Sequence, residues 1–260
     1  MANDQAHQAQ GGMPDPIHQF EIKRHLDLEV FGVDASFTNS SLWMIIAAVL
    51  VSLLMIWGMG GRALVPTRLQ SIAEISYEFI AIMVRDIVGA SGMKFFPFVF
   101  TIFMFILFMN MLGMLPGAFT ATSSIAVTAS LALMVFVTVI VVGFAKNGLG
   151  FLKLFVPSGI PKILYLLVVP IEVISFLSRP VSHSVRLFAN MLAGHITLKV
   201  FGGFVTMLIG TGGTLAAVSI FPLMMAFALT ALEVLVAFLQ AYVFAMLTCM
   251  YLHDALHPGH

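Results

Sequence analysis

The run SLWMIIAAVLVSLLMIWGMG, from about Ser40 to Gly60, carries no charge over twenty residues. About twenty apolar residues in helical form cross the roughly 30 Å hydrocarbon layer of a bilayer, and this is one of several such runs. The whole chain is 60% hydrophobic and only 9% charged, far from the even balance of a soluble domain. The constraint is therefore a polytopic membrane protein.

Residues 1–37 are polar and Gly/Pro-punctuated, and IHQFEIKRHLDLEVFGVDASF mixes charges with apolar residues as a short surface structure would. The first span, about 40–60, has Trp43 and Trp57 near its ends as interfacial anchors. Between about 67 and 90, Leu69, Ile72, Ile75, Ile80, Met83 and Ile87 recur at helical spacing among Arg68, Glu74, Glu78, Arg85 and Asp86. That pattern predicts an amphipathic helix on the membrane surface. Further spans fall at about 95–115 and 124–144. Two segments, 162–201 and 214–252, are about twice the length of a perpendicular span, so each must tilt, kink or protrude; Pro170, Pro180 and Pro222 permit kinks. The Gly-rich FGGFVTMLIGTGG joins them as a hairpin, and 253–260 is a short tail.

Lysines and arginines orient the chain. Arg62, Arg68, Arg85, Lys94, Lys146, Lys153 and Lys162 flank one side against Lys23 and Arg24 on the other, seven to two. The N-terminus is then external, the C-terminus internal, and 38–252 forms one integral domain.

Several function classes lose support. The formal net charge is zero, which gives nucleic acid nothing to recognise. The single cysteine, Cys249, excludes an intrachain disulfide and a cysteine metal cluster. The N-terminus has no apolar core and is not expected to be a cleaved signal. No P-loop or dinucleotide fingerprint occurs, and no cofactor is implied by the 18 methionines and 24 phenylalanines. His253, Asp254, His257 and His260 read as an exposed tail rather than a metal site.

The chemistry concentrates in SRPVSHSVRLFANMLAGH, residues 178–195. On a helix, Glu172, Arg179, His183, Arg186 and Asn190 fall within about 40° of one line, while His195 points elsewhere and Lys199 lies opposite. On the last segment Glu233, Gln240, Phe244 and Tyr251 share a face. Packed as a hairpin, the two segments are expected to bring Arg186, His195, Glu233 and Glu172 together. Ionisable groups in a span cost about 2.5–3.5 kcal/mol each on insertion scales and mark ion pathways. Arg186 has no acid three or four residues away, and its guanidinium stays charged. Its partner must come from Glu233 or from another subunit.

These residues carry a resemblance. SRPVSHSVRLFANMLAGH, with LEVLVAFLQAYVFAMLTCMYLHD, FTNSSLWM and PIEVISFLSRP, resembles the subunit a family of proton-translocating F-type ATP synthases, in the mitochondrial and alphaproteobacterial variant. The resemblance implies an all-α fold of five membrane-inserted helices plus a surface helix, the last two long, tilted and paired against a ring of c subunits. It implies Arg186 as the essential arginine facing the ring carboxylate, with Asn190 and Gln240 as polar neighbours. His195 and Glu233 would serve an outer half-channel; Glu172, Ser175 and Ser182 an inner one. The implied partners are the c-ring, peripheral-stalk b subunits, indirectly the F1 head, lipid and protons; the polar N-terminus without a targeting sequence favours a bacterial inner membrane over a mitochondrial one as the expected location. A proton-coupled secondary transporter is the alternative, although no inverted repeat or matched pair of broken helices supports it. A third reading makes the charges purely structural.

Overall fold

In the computed structural model the described residues are 24–26, 29–30, 33–34, 37–60, 66–115, 117–156 and 164–258. Lys23, Arg62 and Lys162, used above to orient the chain, lie outside them, as does His260. The polar lead-in holds two nested antiparallel pairs, β1 (Arg24–Leu26) with β4 (Phe37–Thr38) and β2 (Glu29–Val30) with β3 (Val33–Asp34). Beyond it the described residues are helical or loop.

Helix α1 (Asn39–Met59) opens under an N-cap: the Thr38 hydroxyl accepts from the Ser41 amide at 3.4 Å. It is followed by α2 (Arg68–Val88), α3 (Phe96–Gly113, preceded by a 3-10 segment Ala90–Phe95) and α4 (Ile125–Asn147). Then come α5 (Tyr165–Thr211), a short α6 (Gly213–Val218) and α7 (Ile220–Leu256). Five of these segments are long and apolar enough to cross a membrane, ending with the 47-residue Tyr165–Thr211 and the 41-residue Ala216–Leu256. The fold is the expected polytopic helical one.

Helix α2 presents three faces. Ala73, Ile80, Met83, Val84 and Val88 are buried against α1, α3 and α7, whereas Ile72, Ile75, Phe79 and Ile82 are exposed. Glu74, Glu78 and Arg85 are exposed on the remaining arc. The single apolar stripe expected from the sequence is thus two stripes, one for protein and one for lipid, with a wet edge between. Such a cross-section suits a helix lying in the interface.

The core is built around α7. Ala237, Ala241, Ala245 and Cys249, four residues apart, are all fully buried, and their small size lets α3 approach closely. Opposite them α3 supplies Val99, Phe103 and Ile106. Two asparagines hold α7 by its carbonyls: Asn110 Nδ2 donates to Ala237 O at 3.1 Å and Asn147 Nδ2 to Ala255 O at 2.7 Å. Helix α5 packs on α4 and α7, completing the bundle.

Three boundary expectations are corrected. Helix α5 continues through Gly202, Gly203 and Gly210 to Thr211, ten residues past the expected end at 201. Glycines that break soluble helices persist here because hydrocarbon leaves an unpaired backbone group nowhere else to bond. The last segment, expected from 214, is interrupted at Ser219 inside the Ala216–Leu256 span; Pro222 follows directly, in the first turn of α7, where a missing amide donor costs nothing. The supposed tail begins as helix: His253 and Asp254 belong to α7, which runs to Leu256.

Candidate functional site

Helix α5 turns two faces to different surroundings. His183, Ser184, Leu187, Met191 and His195 are buried, while Arg186 and Asn190 are exposed. The polar line read from the sequence is therefore split by packing. His183 leaves it for the interior, its ring centroid 3.8 Å from that of Phe244 and 5.8 Å from that of Tyr251, both on α7. Its Nε2 is buried without a hydrogen-bond partner among the described residues.

Arg179 is taken up structurally. Its Nη1 lies 2.9 Å from Asp254 Oδ2, and its guanidinium sits 4.8 Å from the centre of the Tyr251 ring and 5.4 Å from that of Phe176. This cluster ties α5 to the last turns of α7, where the sequence suggested a free acidic and histidine-rich tail.

Arg186 makes no ion pair or hydrogen bond among the described residues. The intrachain acid considered for it, Glu233, is engaged elsewhere: it is buried, and its Oε1 lies 3.3 Å from His195 Nδ1. Neither carboxylate oxygen completes a hydrogen bond among the described residues. A buried carboxylate so placed needs a proton or a cation beside it, and the imidazole stands ready to supply either.

The room for this pair comes from α5 itself. A Cβ at Gly194 would lie 2.9 Å from Glu233 Oε1, so the glycine leaves the carboxylate its place between α5 and His195. On its other side Glu233 borders a pocket of about 240 Å³ between α5 and α7, lined also by Asn190, Gly194, Thr197 and Leu229. The pair thus sits behind an opening whose rim carries Asn190, one helical turn from Arg186.

A residue that the sequence reading did not single out completes the site. Thr120, fully buried in the α3–α4 connection, places its Oγ1 2.9 Å from His195 Nε2. The signal was present in TATSS, residues 120–124, a cluster of hydroxyls in an uncharged connection.

The expected convergence of four ionisable groups is corrected. His195 and Glu233 meet, but α5 is continuous from 165 to 211, so Glu172 lies about 35 Å along the axis from His195, at about 1.5 Å per residue. Arg186 stands between them, about 13 Å from His195 by the same rise. Glu172 and Gln240 are half-buried and Ser175 and Ser182 exposed. Among the described residues no cluster of three or more metal-ligating side chains occurs.

Comparison with known proteins gives a consistent result. The family model described as ATP synthase A chain matches residues 41–253. A protein of Mesorhizobium japonicum named ATP synthase subunit a is 62% identical over 246 residues, covering 95% of this chain and 98% of that protein. One of the same name from Chelativorans sp. is 62% identical over 246 residues, covering 95% and 99%. Another from Brucella anthropi, ATP synthase subunit a 1, is 60% identical over the same length.

Proposed function

The chain belongs to the ATP synthase A chain family, and on that premise we propose which of its residues carry the family's work. It is the proton-channel stator subunit of the Fo sector, a multi-pass membrane protein within a proton-translocating ATP synthase. No observation favours the transporter alternative.

In our reading, Arg186 faces the carboxylate of a c-ring subunit, with Asn190 and Gln240 as its polar neighbours. His195 and Glu233 belong to a half-channel opening outside, and Glu172, Ser175 and Ser182 to one opening inside. The supporting observation is the buried His195–Glu233 pair beside a pocket lined by Asn190, one helical turn from Arg186, which has no ion-pair partner among the described residues. The order along α5 agrees, with the fixed cation between the outer and inner groups.

The chemistry follows from charge. A permanent cation beside a ring carboxylate favours its ionised form, so the ring site gives up its proton before passing Arg186. The same charge repels hydronium and blocks a direct leak between the two half-channels. The membrane potential supplies about 2.3 kcal/mol per proton for each 100 mV crossed. Lysine is a poor replacement, since a buried ammonium loses its proton far more readily than a guanidinium.

The reading extends to the c-ring and peripheral-stalk b subunits as direct partners, the F1 head as an indirect one, and a bacterial inner membrane with the N-terminus outside. The experiment is proton-driven ATP synthesis in membrane vesicles carrying Arg186→Ala or Arg186→Lys. Both should abolish synthesis while the complex still assembles; normal synthesis in either variant sinks the assignment.

A further inference from the structure

The hydroxyl of Thr120 has two neighbours and one proton. Its Oγ1 lies 3.2 Å from Gly113 O and 2.9 Å from His195 Nε2. Gly113 is buried and is the last residue of α3, so its carbonyl is one of the four that a helix end leaves without an amide donor. No backbone donor for it occurs among the described residues. A buried carbonyl left without a donor is costly, and the Thr120 proton is placed to avoid that cost. Once that proton is given to Gly113, Oγ1 is only an acceptor, and the facing Nε2 must donate.

The consequence reaches the other side of the ring. With its hydrogen on Nε2, a neutral imidazole leaves Nδ1 as the unprotonated nitrogen, 3.3 Å from Glu233 Oε1. A lone pair close to a carboxylate is repulsive, and one further proton shared between Nδ1 and Oε1 relieves that repulsion. That proton either makes an imidazolium beside a carboxylate or leaves a neutral ring beside a carboxylic acid. The opposite tautomer behaves differently. A hydrogen on Nδ1 would pair with an ionised Glu233 while holding no exchangeable proton, a stable state in which the pair carries nothing.

We propose that Thr120 is a positioning residue for proton transfer: by donating to Gly113 O it fixes His195 with its hydrogen on Nε2 and reserves Nδ1 for the proton exchanged with Glu233. The step moves one proton between Nδ1 and Oε1 and breaks no other bond. It rests on the half-channel role given to His195 and Glu233. Gly113 shares in the device, since a Cβ there would lie 2.7 Å from Thr120 Oγ1 and displace it.

The direct test is nitrogen solid-state NMR of ring-labelled histidine in the whole complex in lipid, His195 being assigned by the signal missing from His195→Gln. As pH is raised until the ring is neutral, the hydrogen should remain on Nε2; a neutral ring protonated on Nδ1 overturns the proposal. Flux gives a second readout, as passive proton conduction through F1-stripped vesicles. Thr120→Val, which keeps the shape and loses the hydroxyl, should lower conduction at least about tenfold, and Thr120→Ser should restore most of it. Wild-type conduction in an assembled Thr120→Val complex also overturns the proposal. Should that variant not assemble, Gly113→Ala, which keeps the hydroxyl but moves it, is read against the same tenfold expectation. The NMR measurement requires no proton flow, so failure of the half-channel role and failure of the tautomer assignment are distinguishable.

Discussion

Gly194 and Glu233 are in close contact: a methyl group on the first would lie 2.9 Å from Oε1 of the second. The carboxylate occupies the space that the missing side chain leaves, and from there it meets His195. Gly194→Ala should therefore displace Glu233 without disturbing the rest of α5. Passive proton conduction is expected to fall about tenfold or more, as misplacing a reacting group by about 1 Å commonly does. Assembly, followed by the amount of this subunit in the membrane, should stay near wild type.

Glu233→Gln preserves volume and removes the exchangeable proton. Conduction through F1-stripped vesicles should drop by at least an order of magnitude, within the range that general acid–base groups contribute. Unchanged conduction would return His195 and Glu233 to a purely structural role.

Arg179 and Asp254 form a partly exposed pair, their side chains 23% and 36% accessible, so their coupling should be modest. A double-mutant cycle with Arg179→Ala and Asp254→Ala, read by thermal denaturation of the complex in detergent, should give about 1 kcal/mol or less. Proton conduction should change little, which would separate this pair from Arg186.

Ala241 is fully buried at the contact of α7 with its neighbours. Ala241→Leu inserts three carbons where no room exists and should cost about 1–3 kcal/mol. Lower subunit levels in the membrane and a lower denaturation temperature are the expected readouts.

The proposed orientation is open to chemical labelling because Cys249 is completely buried and should stay silent. A cysteine at Leu149, which is 81% exposed just beyond α4, should react with a membrane-impermeant maleimide only from the cytoplasmic side. A cysteine at Gly117 should react only from the other side.

Much of this molecule was legible before any coordinates. Spans announce themselves because each must satisfy the bilayer by composition alone. The pairing of His195 with Glu233 was legible because one angular offset turned the histidine towards the last helix. What could not be read was the splitting of the polar line on α5. His183 and Arg186 are only three residues apart, and which of them enters the bundle depends on Phe244 and Tyr251, distant in sequence. Thr120 was hidden for a related reason: a hydroxyl in a loop gains meaning only when folding brings it to a ring nitrogen 75 residues away. The glycines near the end of α5 misled by carrying rules from water into lipid.

The unbroken length of α5 has a geometric consequence. Its 47 residues extend about 70 Å, while the hydrocarbon layer is about 30 Å deep. To keep both ends in that layer the helix must lean about 65° from the membrane normal. Each residue then changes depth by only about 0.6 Å and advances more than twice as far sideways. Arg186 and His195, nine positions apart, differ by about 6 Å in depth and about 12 Å in the membrane plane. At that lean, sequence position along this helix reads chiefly as bearing around the bundle rather than as altitude, and a proton handed from one such group to the next would travel mostly across the membrane's plane.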